Sequence, residues 1–221
     1  MHNTDLTHEH DTRQRLLDAA GRLFAERGFK EVSIREICNE AGGANVAAVN
    51  YHFRDKAGLY RELLEFMVAR WIANREQLIE TLQEKPVEEK LYLYLRSFLG
   101  NVLGEREDEK DVLFGRILRR EMAEPTPEFK VVVEKGMRPN FQLLGKIIGE
   151  AMGLPQKDLA VLNCTMSTMG QCLAYESARR MSQYFLPPEV RFTPEVIDGI
   201  ARQVWFFSLA GIRAMAQRHA E

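Results

Sequence analysis

Apolar residues recur every three or four positions through nearly the whole chain, and no convincing run alternates with the two-residue period of a half-buried strand. The pattern predicts an all-α protein. Leu16, Ala20, Leu23 and Phe24 form the stripe of a first helix over about 11–27, closed by Gly28 and followed by a short link at Phe29. Ser33 with Glu36 three positions on is the signature of a capping box, and Ile34, Ile37, Cys38 and Ala41 give the second helix its apolar stripe before Gly42 and Gly43 stop it. Asn45 can cap a third, very short helix ending near Tyr51, because its amide oxygen can accept from the amide of Ala47 or Ala48. Asp55 can cap a long fourth helix striped by Tyr60, Leu63, Met67, Trp71, Asn74 and Leu78 and ending before Pro86.

Beyond Pro86 the same periodicity predicts helices over roughly 87–104, 110–123, 127–151, 156–181 and 194–218. Thr126-Pro127 and Thr193-Pro194 each put a hydroxyl ahead of a first-turn proline, and Leu154-Pro155 marks a similar entry. Pro139 falls inside the 127–151 stretch, where its missing N–H and its ring predict a kink. The segment from Phe185 to Phe192, with Pro187 and Pro188, reads as a loop. The implied organisation is a disordered polar tail over 1–10, a three-helix unit over 11–54, a connecting helix over 55–85 and a larger helical bundle over 86–221.

Helices two and three, joined through glycines, have the lengths of a helix-turn-helix, which lays its second helix in the DNA major groove. Ala47, Ala48 and Val49 are small enough for close approach to base edges, and Asn45 and Asn50 carry amides able to pair with adenine or phosphate. Tyr51, His52 and Lys56 follow closely, each able to donate to phosphate oxygens, while Phe53 is better placed in the core. An ordinary bundle can also contain a short helix pair at a glycine turn, yet it gives no reason for these donors to gather beside an alanine-rich helix.

The segment Leu16–Phe24, the Phe29 link, Ser33-Ile34-Arg35-Glu36-Ile37, Ala41-Gly42, and Tyr51-His52-Phe53 with Lys56 and Leu59 together resemble the TetR family of repressors over about the first sixty residues. The stretch Arg120–Thr126 and the NVAAVNYHF run from Asn45 to Phe53 are similar to the TetR subgroup with a CerR-type carboxy-terminal domain. The resemblance implies a homodimeric repressor that binds operator DNA through its first three helices, holds a ligand in the remaining ones and pairs through its last two. By motif match, Ser33 and Arg35 would meet DNA from helix two, Asn45, Ala47, Ala48, Asn50 and Tyr51 would face the groove, and His52 and Lys56 would clamp the backbone. The sequence departs from the family at the turn, where Gly42-Gly43-Ala44 is one residue longer than the usual single glycine and valine. That shifts the expected register of the reading helix.

Large adaptable side chains crowd the second half: Phe98, Phe114, Met122, Phe129, Met137, Phe141 and Met169 could line an effector pocket near the Pro139 kink, although such stripes more often form plain core. Arg116, Arg119 and Arg120 form a basic group that is either a solvated face or, through Arg116 and Arg120, a polar edge of that pocket. Trp205, Phe206, Phe207 and Leu209 cover too much of the last helix for a one-sided core, which points to a second subunit. The expected dimer surface comprises Met166, Ser167, Gly170, Leu173 and Ala174 with Phe206, Phe207 and Ala210.

A formal net charge of -2 excludes a protein that coats nucleic acid through a broadly basic surface, but a specific reader needs only a local cluster of contacts. With 45% hydrophobic and 28% charged residues in 221, the composition is that of a soluble globular chain, with no apolar run of bilayer length and no secretory pattern at the start, so the cytoplasm is expected. Cys38, Cys164 and Cys172 have no CxxC spacing and read as reduced thiols. His2, His8 and His10 could gather a metal, but a mobile polar tail is the simpler reading, so neither metal nor cofactor is expected. Phosphate loops, HExxH and nucleophile elbows are missing, which argues against the competing class of a small helical enzyme. A DNA-binding adaptor that senses nothing is the third reading, and a fully packed bundle would favour it.

Overall fold

The computed structural model describes residues 3–103, 109–185 and 192–220, and among these every regular element is helical. The helices are α1 (Asn3–Arg27), α2 (Ile34–Glu40), α3 (Val46–Phe53), α4 (Lys56–Leu82), α5 (Val87–Leu103), α6 (Glu109–Ala123), α7 (Arg138–Met152), α8 (Leu159–Phe185) and α9 (Pro194–Ala220). A 3₁₀ turn at Pro127–Phe129 and a π-helical stretch at Val132–Met137 separate α6 from α7. The expected 127–151 helix is therefore not one α-helix. Wide i→i+5 turns precede Pro139, which sits in the first turn of α7 and cannot donate a backbone hydrogen bond. Helix α1 starts at Asn3, not near Asp11: no proline or glycine interrupts the polar lead-in, so an established helix can propagate back through it. Phe185 closes α8, and most of the loop expected after it lies outside the described residues.

The chain forms two compact units that do not follow its linear order. One takes residues 1–72 and 106–137, the other residues 73–105 and 138–221. The first unit is built on Leu16, Phe24, Ile37, Val49, Phe53, Leu59, Leu64, Phe114, Ile117 and Val132, all buried. Its centre includes a ring cluster in which Tyr60 stacks on Phe29 and meets Phe24 edge-on, both at 4.9 Å. Such pairs add to simple burial and tie α1, the Phe29 link and α4 together. The second unit packs Leu91, Leu95, Leu99, Leu144, Ile148, Val161, Ile197, Val204 and Ile212 between α5, α7, α8 and α9. Tyr94 is buried there too, with its hydroxyl donating to the Asn140 carbonyl at 3.0 Å, and Trp205 donates its indole N–H to the Glu88 carbonyl at 2.8 Å.

All three cysteines are free thiols. Burial pushes the Cys172 thiol up to about 12, which keeps it protonated and unreactive at neutral pH.

Candidate nucleic-acid interface

Each end of the short helices around α3 is fixed by a local device. At α2 the Ser33 hydroxyl accepts from the Glu36 amide, and the Glu36 carboxylate accepts from the Ser33 amide at 2.8 Å. Those hydrogen bonds to Ser33, followed by one from Arg27, hold the Glu36 carboxyl down to about 2. The cap therefore stays charged through the mildly acid range and weakens only as pH falls toward that value. Gly42 and Gly43 then adopt φ +84° and +80°, left-handed conformations that a side chain would strain, and the Gly43 and Ala44 amides both donate to the Cys38 carbonyl at 3.0 Å. This pair of glycines accommodates the longer turn. Asn45 ends it by accepting from the Ala47 amide at 3.0 Å, which starts α3.

Helix α3 buries Val49 and Phe53 and exposes the opposite side. Ala47, Asn50 and Tyr51 lie on that outer side, with Asn45 exposed at its start and Tyr51 72% accessible. Two assignments change. Val49 is wholly buried, and Ala48 is half-buried against the core instead of standing free for close approach. Val46 takes the vacated place: it is exposed in the first turn beside Ala47, where an apolar side chain can meet a thymine methyl. Its signal was the spacing 46, 47, 50, 51 opposite 49 and 53. In two helical turns of mostly small residues, that spacing competes with other readings.

Arg35 is exposed in the first turn of α2, and Ser33 is exposed at its cap with the hydroxyl committed to Glu36. His52 is half-buried and flanked edge-on by Tyr51 at 5.0 Å and by Phe53 at 5.9 Å. The Lys56 ammonium lies 4.4 Å from the centre of the Phe29 ring, and its pKa is lowered by burial, against the opposing pull of Glu36 and Glu31. All these residues fall in the first unit.

The Arg120–Thr126 stretch also belongs to this unit, which the sequence did not reveal. Arg120 is neither a pocket residue nor simply solvated: its guanidinium donates to the carbonyls of Ala25 and Glu26, closing the carboxy-terminal end of α1. Glu121 is 2% exposed and accepts from the Tyr60 hydroxyl at 2.6 Å and from the amide and hydroxyl of Thr126 at 2.8 and 2.9 Å. Burial first, then the bond to Glu121 and its charge, push the Tyr60 hydroxyl far above its ordinary pKa. Thr126 thus spends its hydroxyl on Glu121 and does not cap the turn that follows. We expect Tyr60→Phe, which deprives a buried carboxylate of one donor at nearly unchanged shape, to cost about 1–3 kcal/mol in chemical denaturation. An unchanged midpoint would show that the hydrogen bond is not needed to dock α6 on α4.

The remaining pocket expectations do not converge on one place. Phe114 and Phe129 are core residues of the first unit, with Met137 packed beside them, while Arg116 and Met122 are exposed. Phe98, Phe141 and Met169 belong to the second unit and are half-buried. By contrast, the expected dimer residues share one property. On α8, Met166, Ser167, Gly170, Leu173 and Ala174 are exposed, and on α9 so are Phe206, Phe207 and Ala210, with Phe206 68% and Phe207 65% accessible.

Comparison with known proteins gives two matches to family models. Residues 16–63 match "Bacterial regulatory proteins, tetR family", and residues 87–212 match the carboxy-terminal domain of the "HTH-type transcriptional dual regulator CecR", which corrects the CerR designation to CecR. CecR of Shigella flexneri is 26% identical over 174 residues, 74% of each chain, and AcrR of the same organism is 42% identical over 55 residues, a quarter of each chain. The repressor Rv1474c of Mycobacterium tuberculosis is 38% identical over 76 residues, 33% of this chain and 39% of that protein. Among solved structures, a transcriptional regulator FadR from Bacillus subtilis in complex with stearoyl-CoA has a TM-score of 0.61 at 17% identity, covering 90% of this chain and 98% of that one. A putative TetR-family regulator from Mesorhizobium loti has a TM-score of 0.60 at 19% identity, covering 91% of this chain and 96% of that one.

Proposed function

Since this chain belongs to the TetR family of bacterial DNA-binding transcriptional regulators and carries a CecR-type carboxy-terminal domain, we propose that it is a homodimeric repressor released from a palindromic operator by a small molecule. Family membership places it with regulators and not with enzymes. The observation that carries the DNA reading is the outer side of α3: Val46, Ala47, Asn50 and Tyr51 stand exposed on a helix capped at its start by Asn45 and anchored by Val49 and Phe53. Small side chains let the backbone approach the bases, Asn50 can pair with an adenine edge, and Tyr51 and Arg35 can donate to phosphates.

Pairing through α8 and α9 is supported by the exposed apolar residues there, which would carry two reading helices about 34 Å apart, one turn of DNA, or a multiple of it. No helix among the described residues is long and apolar enough to cross a membrane, and we place the protein in the cytoplasm with its operator. Effector release follows from linkage: a ligand that prefers the state with misplaced heads must weaken DNA binding by the same coupling energy. FadR, which shares the fold, was solved in complex with stearoyl-CoA, which supports a ligand-sensing role for this chain. Helix α4 begins in the unit that carries α3 and ends in the other, which makes it the natural lever.

Tyr51→Ala is expected to weaken binding to a promoter fragment by about tenfold or more at fixed salt, with thermal stability and oligomeric mass unchanged. Equal affinity for wild type and variant in a fluorescence-anisotropy titration would remove α3 as the reading helix.

A further inference from the structure

For a helix that is to read bases, α3 carries one-sided chemistry. Val46 and Ala47 are exposed in its first turn and Asn50 one turn on, while Val49 and Phe53 are buried and Ala48 is half-buried. No arginine, lysine, aspartate or glutamate occurs anywhere in Val46–Phe53. Those are the residue types that pair with the major-groove edges of guanine and cytosine. Of the three exposed residues, Asn50 alone has a side chain able to hydrogen-bond a base. Its backbone carbonyl accepts from the Arg54 amide at 3.0 Å, and its side-chain amide has no partner among the described residues. Asn45 differs, because its side-chain oxygen is already spent on the Ala47 amide. A reading helix turns its amino-terminal residues to the bases, so Val46, Ala47 and Asn50 form the reading set, and Tyr51 and Arg54 come after them.

We propose, on the footing that α3 is the reading helix, that each operator half-site is built on A·T pairs, with Val46 and Ala47 packed on thymine methyl groups and the Asn50 amide paired with N6 and N7 of an adenine. The thymine methyl is the apolar group of the major groove, and a valine gains contact there that cytosine does not give. An asparagine amide offers one donor and one acceptor, which adenine matches at N7 and N6. Guanine presents two acceptors at the same place and would leave the amide oxygen facing one of them. Val46 and Asn50 lie four positions apart, about 6 Å along the helix axis. Base pairs follow one another at about 3.4 Å, so the thymine and the adenine fall within two pairs of each other.

The test begins with selection of duplexes from a random-sequence pool by the full-length protein, followed by anisotropy titrations of the selected site. In one half-site, replacing a thymine by uracil removes only its major-groove methyl and should weaken wild-type binding about threefold. Replacing an adenine within two pairs of it by 7-deazaadenine removes only the N7 acceptor and should weaken binding about fivefold. Val46→Ala and Asn50→Ala change exposed side chains outside the core and should fold as wild type does. Val46→Ala should lose the response to uracil and keep that to 7-deazaadenine, and Asn50→Ala should do the reverse. Half-sites made of G·C pairs, or variants that respond to both base changes as wild type does, overturn the A·T assignment. Where Tyr51→Ala still weakens binding to such a site, α3 stands as the reading helix. Tyr51→Ala binding the selected site as tightly as wild type removes α3 as the reader and the A·T assignment with it.

Discussion

Replacing Gly58 by alanine is expected to cost about 3 kcal/mol and to abolish binding to promoter DNA, because the added methyl carbon would fall 1.9 Å from the carbonyl oxygen of Phe53. That oxygen belongs to the last residue of α3, and the chain reverses immediately after it at Arg54, whose φ of 73° is already unfavourable for a side chain. Asp55 caps α4 by accepting from the Gly58 amide at 2.7 Å, so glycine and cap occupy one tight corner. The corner cannot open on the α3 side without moving Phe53, which is buried in the core of the first unit. Urea unfolding should show a lower midpoint with the same slope. A variant as stable as wild type would mean that this corner yields easily, and that α3 is held by something other than its junction with α4.

The second large effect is expected on the opposite part of the chain. If the proposed pairing through α8 and α9 holds, Phe206→Asp combined with Phe207→Asp should convert the dimer to a monomer at micromolar concentration, read as mass by light scattering or sedimentation. Both side chains are largely exposed on α9, as are Met166 and Leu173 on α8. The leucine, methionine and glycine at 159, 162, 166, 170 and 173 follow helical spacing along α8 and are all exposed, an arrangement that suits a covered stripe. Charges placed in a covered apolar surface must be desolvated without partners, which few interfaces survive. The fold should persist, since neither ring contributes to the core. Operator affinity should drop about a hundredfold with the loss of the second head. A double variant that keeps the dimeric mass would show that the protein pairs through another surface.

The elements that could be read from sequence are those whose causes are local. The Ser33–Glu36 box, the Asn45 and Asp55 caps and the hydroxyl of Thr193 each act within three residues, and each is found where the residue types place it. The exposed apolar side of α9 was legible in part because an excess of large apolar side chains on one helix is visible without knowing what surrounds it. What escaped reading depends on partners distant in the chain. Arg120 meets carbonyls of α1 across 94 and 95 positions, and Glu121 meets Tyr60 across 61, so a sequence scan finds only charges at helical spacing. For the same reason Phe114 and Phe129 could be placed in an apolar interior but not in the correct one. The orientation of α3 failed differently. Alanines and valines provide little contrast over eight residues, and only packing against α1 and α2 decides that Val49 faces inward.

The chain passes between its two units inside α4, again in a segment outside the described residues, and a third time where the π-helical stretch meets α7. The first and third of these passages differ in their hydrogen bonding. In α4 the hydrogen bonds run i→i+4 without a break, whereas the π-helical stretch has wider turns and is followed at once by Pro139, which cannot donate a backbone hydrogen bond. Shortening Val132–Met137 by one residue should let it wind with ordinary i→i+4 turns into α7, making one longer helix that carries Pro139 in its interior.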